Sequence, residues 1–497
     1  MKPQDVDIII QDGFIVTMDG QNRLIENGSV AVIGSKIAAI GPKKDISEQY
    51  QAKKVLSARN KIIMPGLVDT YGHAGHGMIK AVHRPDIGWP SGRLYFHATD
   101  EQWWYAEGLL SGLERLKFGV TTGYTVIGGT PARADDPVYA EKQCQAIEEI
   151  GTRGMIGIGP PDPHVSHLPE PWSATRWHNG EAREVRFSFD DALKTSEIVV
   201  KNWNKNANER IHVSIHYPYL FGRQAAHPRI PFEYNDSLVP EMMKCSRKVR
   251  EAADRHNVLI HTHIFVGSVS YGLKKFGRDY VDYLLHTPVA FAHSNGLFPE
   301  EIEVLGEKHA GICVAPYTHE NLNYGVCPVI ELSKAGCNIS IVTDGTAPYS
   351  SYDLFKEISR AIWAQWDYYK DQSVLPPGRA LRMVTIEAAK VLGLDHLIGS
   401  LEVGKRADII LVDFNQPHLT PSVFVPRLLT HYVNGNDVDT VLVDGKILME
   451  NRQVLSVDER TILEQAREEA QKSFKLIDIA PFLKTDRTFW EGCRYEE

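Results

Sequence analysis

The chain is 497 residues long, with 43% hydrophobic and 24% charged residues; 54 Lys and Arg against 63 Asp and Glu give a formal net charge of −9. That composition describes a globular protein with a sizeable core, either roughly two to four ordinary domains or one large barrel with an attachment. The mild acidity argues against nucleic acid or an anionic membrane as partner, and no apolar run reaches the ~18 residues of a membrane span. The opening MKPQDVDIII has no secretory apolar region, and six cysteines without a Cys-x-x-Cys pair read as reduced thiols, so a cytoplasmic protein is expected.

In chain order, DIII, FIVTMD, GSVAVI and KIAAIG with turns between them predict a β-meander within 1–64. Eight short apolar runs follow within 65–400: GLVDTYGH, VTTGYTVI, GMIGIG, IHVSIHY, VLIHTHIF, VAFAHSNG, GICVAPY and NISIVTDG. Amphipathic helical patterns separate them, several opening on Asp, Ser or Pro and closing at Gly or Asn. This alternation predicts an α/β fold, a (β/α)8 TIM-type barrel, ahead of a doubly wound open sheet. ADIILVDF and DVDTVLVDGKILMENRQV return to strand within 401–455, so the two ends are expected to form one small composite β-sandwich. DERTILEQAREEAQKSF predicts a helix in 456–497, and Phe482, Phe489 and Trp490 in the tail after it suggest docking. The Pro-rich loop PPDPHVSHLPEPWSATRWHNG after the third run is expected as a pocket wall or a surface excursion.

Side chains at the C-terminal ends of barrel strands face one mouth, so residues distant in sequence converge there. Run one ends Asp69-Thr70-Tyr71-Gly72-His73, and period-two alternation puts Asp69, Tyr71 and His73 on one face, with His73 nearest the mouth. Run five ends His261-Thr262-His263, run six at His293 and run eight at Asp344. Neutral imidazoles with a carboxylate suit Zn²⁺, Fe²⁺, Co²⁺ or Mn²⁺, with room for a bound water. A lone strand His is usually a satisfied core residue; the coincidence of these at strand ends is what singles them out. His216 ends run four and His319 follows run seven, each equally readable as core or mouth-facing, and His76 reads as a loop or pocket His. No phosphate-cradling or dinucleotide motif occurs, and Trp103, Trp104, Trp363 and Trp366 read as core packing on helices.

PGLVDTYGH, LIHTHIF, AFAHSNG and VTDG, with EVGKRADIILVDFNQPH and VDTVLVDGKIL near the end, resemble the signature segments of the amidohydrolase superfamily, in its cytosine deaminase-like and triazine hydrolase branch. The resemblance spans nearly the whole chain. It implies metal-dependent hydrolysis of C–N and related bonds, with His73, His263, His293 and Asp344 around the metal. It further implies that Asp344 takes the proton of the metal water and that His293 steers the attacked carbonyl. Two positions depart from the pattern. Tyr71 stands where a His is usual, and is read as hydrogen-bonding a metal water ahead of ligating as phenolate or filling space. Val266 stands where deaminase-like relatives carry a proton-relaying Glu. The fourth run has no Lys to be carboxylated, which favours a mononuclear site.

The expectation is thus a metal-dependent hydrolase attacking an sp² carbon bearing nitrogen (amide, urea, carbamate or amidine) in a small, fairly apolar substrate. Asp344, His293 and Tyr71 are the expected catalytic groups; His216, Val266, His319 and His76 are expected around the substrate. Deamination or dechlorination of a heteroaromatic ring is the alternative, and a catalytically silent scaffold is the reading from another class. A homo-oligomer is expected from the resemblance alone.

Overall fold

A computed structural model describes residues 3–84, 87–127, 133–164, 170–178, 180–222 and 235–484; Phe489 and Trp490 lie outside them. The eight apolar runs become eight parallel strands, Leu67–Asp69, Val120–Val126, Arg153–Ile158, Ile211–His216, Ile260–Phe265, Val289–Asn295, Gly311–Val314 and Asn338–Ile341, hydrogen-bonded in sequence order. The ring closes just beyond the last strand, where Asp344 N donates to Tyr71 O at 2.9 Å and Gly72 bridges Asp344 in parallel. Strand burial is near-continuous, as a parallel sheet covered by helices requires. Two of the connecting helices start on side-chain caps: Asp100 accepts from Trp103 N, and Ser188 and Asp191 form a capping box. Gly151 ends the helix Val138–Ile150 at φ 91°, a conformation glycine reaches freely.

Strand Lys61–Pro65 pairs antiparallel with Ile409–Asp413, which joins the two ends of the chain in one nine-stranded sheet. Alternate residues of that sheet, among them Ile8, Ile10, Val30, Val32, Ile63, Ile409 and Leu411, gather in one apolar cluster. The composite β-domain expected from both termini is therefore built as one continuous sheet wrapped on a shared core. Arg153, at the start of the third barrel strand, ties the barrel to it. Its Nε donates to Asp408 at 3.0 Å, its Nη2 to Asp444 at 2.7 Å and its Nη1 to Glu209 O at 2.7 Å.

The helix Glu459–Leu476 packs on Glu101–Lys117, and Phe482 after it rests against the core. Within the Pro-rich loop, Trp172–His178 pairs with Glu181–Phe187 in a hairpin, and none of its described residues lines the barrel mouth. Trp172 and Ala174 of that segment are buried in the core instead. Trp103 and Trp104 are core residues as expected, whereas Trp363 is 54% exposed, on the outward face of its helix. The five described cysteines are buried and unpaired, and no described helix is long and apolar enough to cross a membrane.

Candidate metal centre

Tyr71 and His73 follow the first strand in extended backbone, pinned to the second strand by a bridge from His73 to Val126. His263 lies inside the fifth strand, and its Nδ1 faces Pro218 O at 3.1 Å. A carbonyl only accepts, so the ring proton sits on Nδ1 and the Nε2 lone pair is turned to the mouth. Burial, helped by the neighbouring His293 and His73, pushes the His263 pKa down to about 3, which keeps that lone pair free at neutral pH.

The Tyr71 hydroxyl sits 2.5 Å from His263 Nε2 and 2.9 Å from His73 Nε2. With the His263 nitrogen unprotonated, the phenol donates to His263 and accepts from His73. Burial and the Asp344 charge raise the phenol well above its ordinary pKa, so it stays protonated. His73 Nε2 lies 3.1 Å from Asp344 Oδ1. Burial pushes the Asp344 carboxyl upward, but the hydrogen bond from His73 and the charges of His293 and His73 outweigh it and hold the group far below the usual range. His293 stacks on His263 with ring centroids 5.3 Å apart, and its buried Nδ1 has no hydrogen-bond partner. His293 and Asp344 both carry positive φ, 73° and 54°.

These groups floor a cavity of about 460 Å³ lined by Tyr71, His73, His76, His263, His293 and Asp344. Its walls are aromatic: Trp89, Tyr95, Tyr219, Phe265, Tyr317 and Tyr324. His76 lies against His73, ring centroids 5.0 Å apart, and accepts from Ala347 N at 3.3 Å.

Three residues expected around the substrate are elsewhere. Val266 is 39% exposed and off the cavity, because the strand bulges between Ile264 and Phe265 and the chain turns out at Gly267; Phe265 takes the wall position. His216 is buried behind His261, ring centroids 5.6 Å apart. His319 is buried behind His293 at 5.7 Å and faces a separate cavity. Asp69 is structural: it accepts from Thr343 N and Oγ1 and pairs with Arg115 at 3.5 Å. Most of the aromatic walls escaped the sequence because they come from loops and short helices after the strands, where no strand-end pattern marks them.

The donors fit a divalent cation in chemistry and orientation: a carbonyl-fixed imidazole, an ionised carboxylate and a buried imidazole nitrogen left unanswered. Among the described residues, no three His, Cys, Asp or Glu side chains are drawn together as a ready-made set. The contacts Asp344–His73–Tyr71–His263 form one chain that runs through the phenol oxygen; a cation here would be held by the imidazoles and the carboxylate and would supply Lewis-acid chemistry to its water.

A closed parallel barrel carrying imidazoles and one carboxylate at its strand ends, with a composite terminal sheet, defines a TIM-barrel metal-dependent hydrolase. The chain belongs to the amidohydrolase family, whose sequence profile matches residues 62–448. It is accordingly a hydrolase of carbon–nitrogen bonds other than peptide bonds. It is 30% identical over 485 residues to a 5-methylthioadenosine/S-adenosylhomocysteine deaminase of Pelotomaculum thermopropionicum, covering 93% of this chain and 98% of that protein. It is 29% identical over 474 residues to a 5'-deoxyadenosine deaminase of Methanosarcina acetivorans, covering 94% and 98%. Among solved structures, a zinc-bound adenosine deaminase of Xanthomonas campestris superposes with a TM-score of 0.77 at 21% identity, covering 95% of this chain and 100% of that one. An atrazine chlorohydrolase of Arthrobacter aurescens, complexed with zinc, does so with a TM-score of 0.73 at 18% identity, covering 93% and 100%.

Proposed function

We propose that the barrel mouth hydrolyses the carbon–nitrogen bond of an amide, urea, carbamate or amidine in a small, flat, largely apolar molecule. The observation that carries this is the single carboxylate: among the described residues lining the cavity, Asp344 is the only Asp or Glu. One carboxylate takes the proton of the attacking water at its Oδ and returns it to the leaving nitrogen. An acyclic amine needs no more. The ring nitrogen of a heteroaromatic base asks for a second donor, and Val266, where one is expected, is aliphatic and off the cavity.

His73, His263, His293 and Asp344 are the proposed holders of one divalent ion, zinc first. Bound there, the ion supplies a Lewis acid that makes its water nucleophilic near neutral pH. His263 is held neutral and aimed by Pro218 O. Tyr71, through its hydroxyl, fixes the spacing of His73 and His263. His293 lines the cavity, where it either joins the other three around the ion or donates a ring N–H to the developing oxyanion. The aromatic walls exclude water and stack a planar acyl or aryl group, and His76 closes the wall beside His73.

The names of the relatives favour a second reading, replacement of the amino group of an adenine-type ring. Metal-replete and chelator-treated protein, incubated with aryl amides, ureas and carbamates and with adenosine and 5-methylthioadenosine, separates the two by product mass. Release of an aryl amine, lost on chelation and restored by zinc, is the expected result. Conversion of the nucleosides alone moves the assignment to the second reading, and turnover that survives verified metal removal refutes both.

A further inference from the structure

A second cavity, of about 520 Å³, lies behind the catalytic one, between the segment Pro316–Leu322 and the helix Leu354–Tyr369. Two of its lining side chains are buried with an atom unanswered. Gln365 is 2% exposed; its Nε2 donates to Cys327 O at 3.0 Å, which fixes the amide and leaves the buried Oε1 with no partner. His319 is 7% exposed, and its buried Nε2 has no partner either. Ala361 and Ala364 share the helix face with Gln365 and keep the wall beside it apolar. At the rim stands the half-exposed ring of Trp363.

The charged lining is of one sign: Glu320 and Asp367 border the cavity, and no described Lys or Arg does. Arg360 stands 3.8 Å from Glu320, and Lys370 2.6 Å from Asp367, both outside the lining. A fixed amide oxygen facing inward asks for an N–H donor, carboxylates at the rim favour a cation, and an indole face takes a flat or cationic group.

We infer that this cavity binds a small aromatic molecule bearing an amidinium or amine, with its N–H groups on Gln365 Oε1 and His319 and its ring against Trp363. The site is independent of the catalytic cavity, which His319 does not line; its ring stands behind that of His293, 5.7 Å away.

Ligand-observed saturation-transfer NMR on the full chain tests this with benzamidine as the probe and benzoate, the same ring with acceptors only, as its control. Benzamidine is expected to bind the unmodified chain and Asp344→Asn alike. It should bind about tenfold or more weakly to Gln365→Leu and to Trp363→Ala, the latter a rim substitution that leaves the core intact. Benzoate should show no comparable binding. Undiminished affinity in both Gln365→Leu and Trp363→Ala overturns the assignment. So does loss in Asp344→Asn, which would place the probe in the catalytic mouth, and so does benzoate binding as tightly as benzamidine or no benzamidine binding at all.

Discussion

Two buried polar clusters sit at opposite ends of the barrel strands and are built on opposite terms. Around Arg153, at the strand starts, each guanidinium nitrogen has an acceptor: Asp408, Asp444 or Glu209 O. At the strand ends, the buried Nδ1 atoms of His216, His261 and His293 have none. Burying a polar atom without a partner is costly, so a chain that satisfies one cluster fully and leaves the other short uses them differently. The first is a joint between the barrel and the terminal sheet. The second surrounds the mouth in which the ion is proposed to sit.

The sharpest way to break this contrast is Asp344→Asn, which removes the proposed proton acceptor and keeps the shape. A loss of about 10³-fold or more in kcat is expected, with melting temperature held or raised. If melting falls instead, Asp344 belongs with the joint. Next is Arg153→Met, which strands Asp408 and Asp444 as buried charges. Unfolding free energy should drop by about 3–5 kcal/mol while turnover per folded molecule is unchanged. Chemical denaturation paired with active-site titration reads both, and a turnover defect would merge the two clusters.

Acid probes the mouth as a whole. Burial lowers the folded pKa values of His263 and His319 to about 3. A lowered folded pKa means the unfolded chain binds more protons between its own value near 6.5 and the folded value. Stability is therefore full above pH ~6.5 and falls through that window as pH drops, by up to about 1.4 kcal/mol per pH unit for each such group. The Asp344 carboxylate, held low, acts in the same direction below its ordinary range. Denaturant midpoints that stay flat from pH 7 to pH 5 would contradict this. Smallest is Tyr71→Phe, which deletes the hydroxyl spacing His73 and His263. A fall of about tenfold in kcat/KM is expected, a hydrogen bond's worth, with the fold intact. Loss as complete as that of Asp344→Asn would make the phenol a ligand.

Much of this was legible in the letters. Eight apolar runs separated by amphipathic helices became eight strands, because continuous burial in a parallel sheet leaves an unambiguous pattern. Alternation also picked out Tyr71 and His73. Alternation reports a face, however, not a depth. His261 and His263 share a face of one strand, yet only His263 lines the cavity, and His216 lies a layer behind it. Val266 was misplaced by the bulge after Ile264, a backbone irregularity that no single side chain announces. Trp89, Tyr317 and Tyr324 wall the cavity from connecting segments, where position depends on distant contacts that local spacing does not encode.

The positive φ angles of His293 and Asp344 have a consequence for their replacement. A side chain with a Cβ pays roughly 1 kcal/mol or more to sit there, and glycine sits there freely. Glycine alone would relieve that cost at either position, and it would remove the imidazole or the carboxylate that the proposed reaction uses.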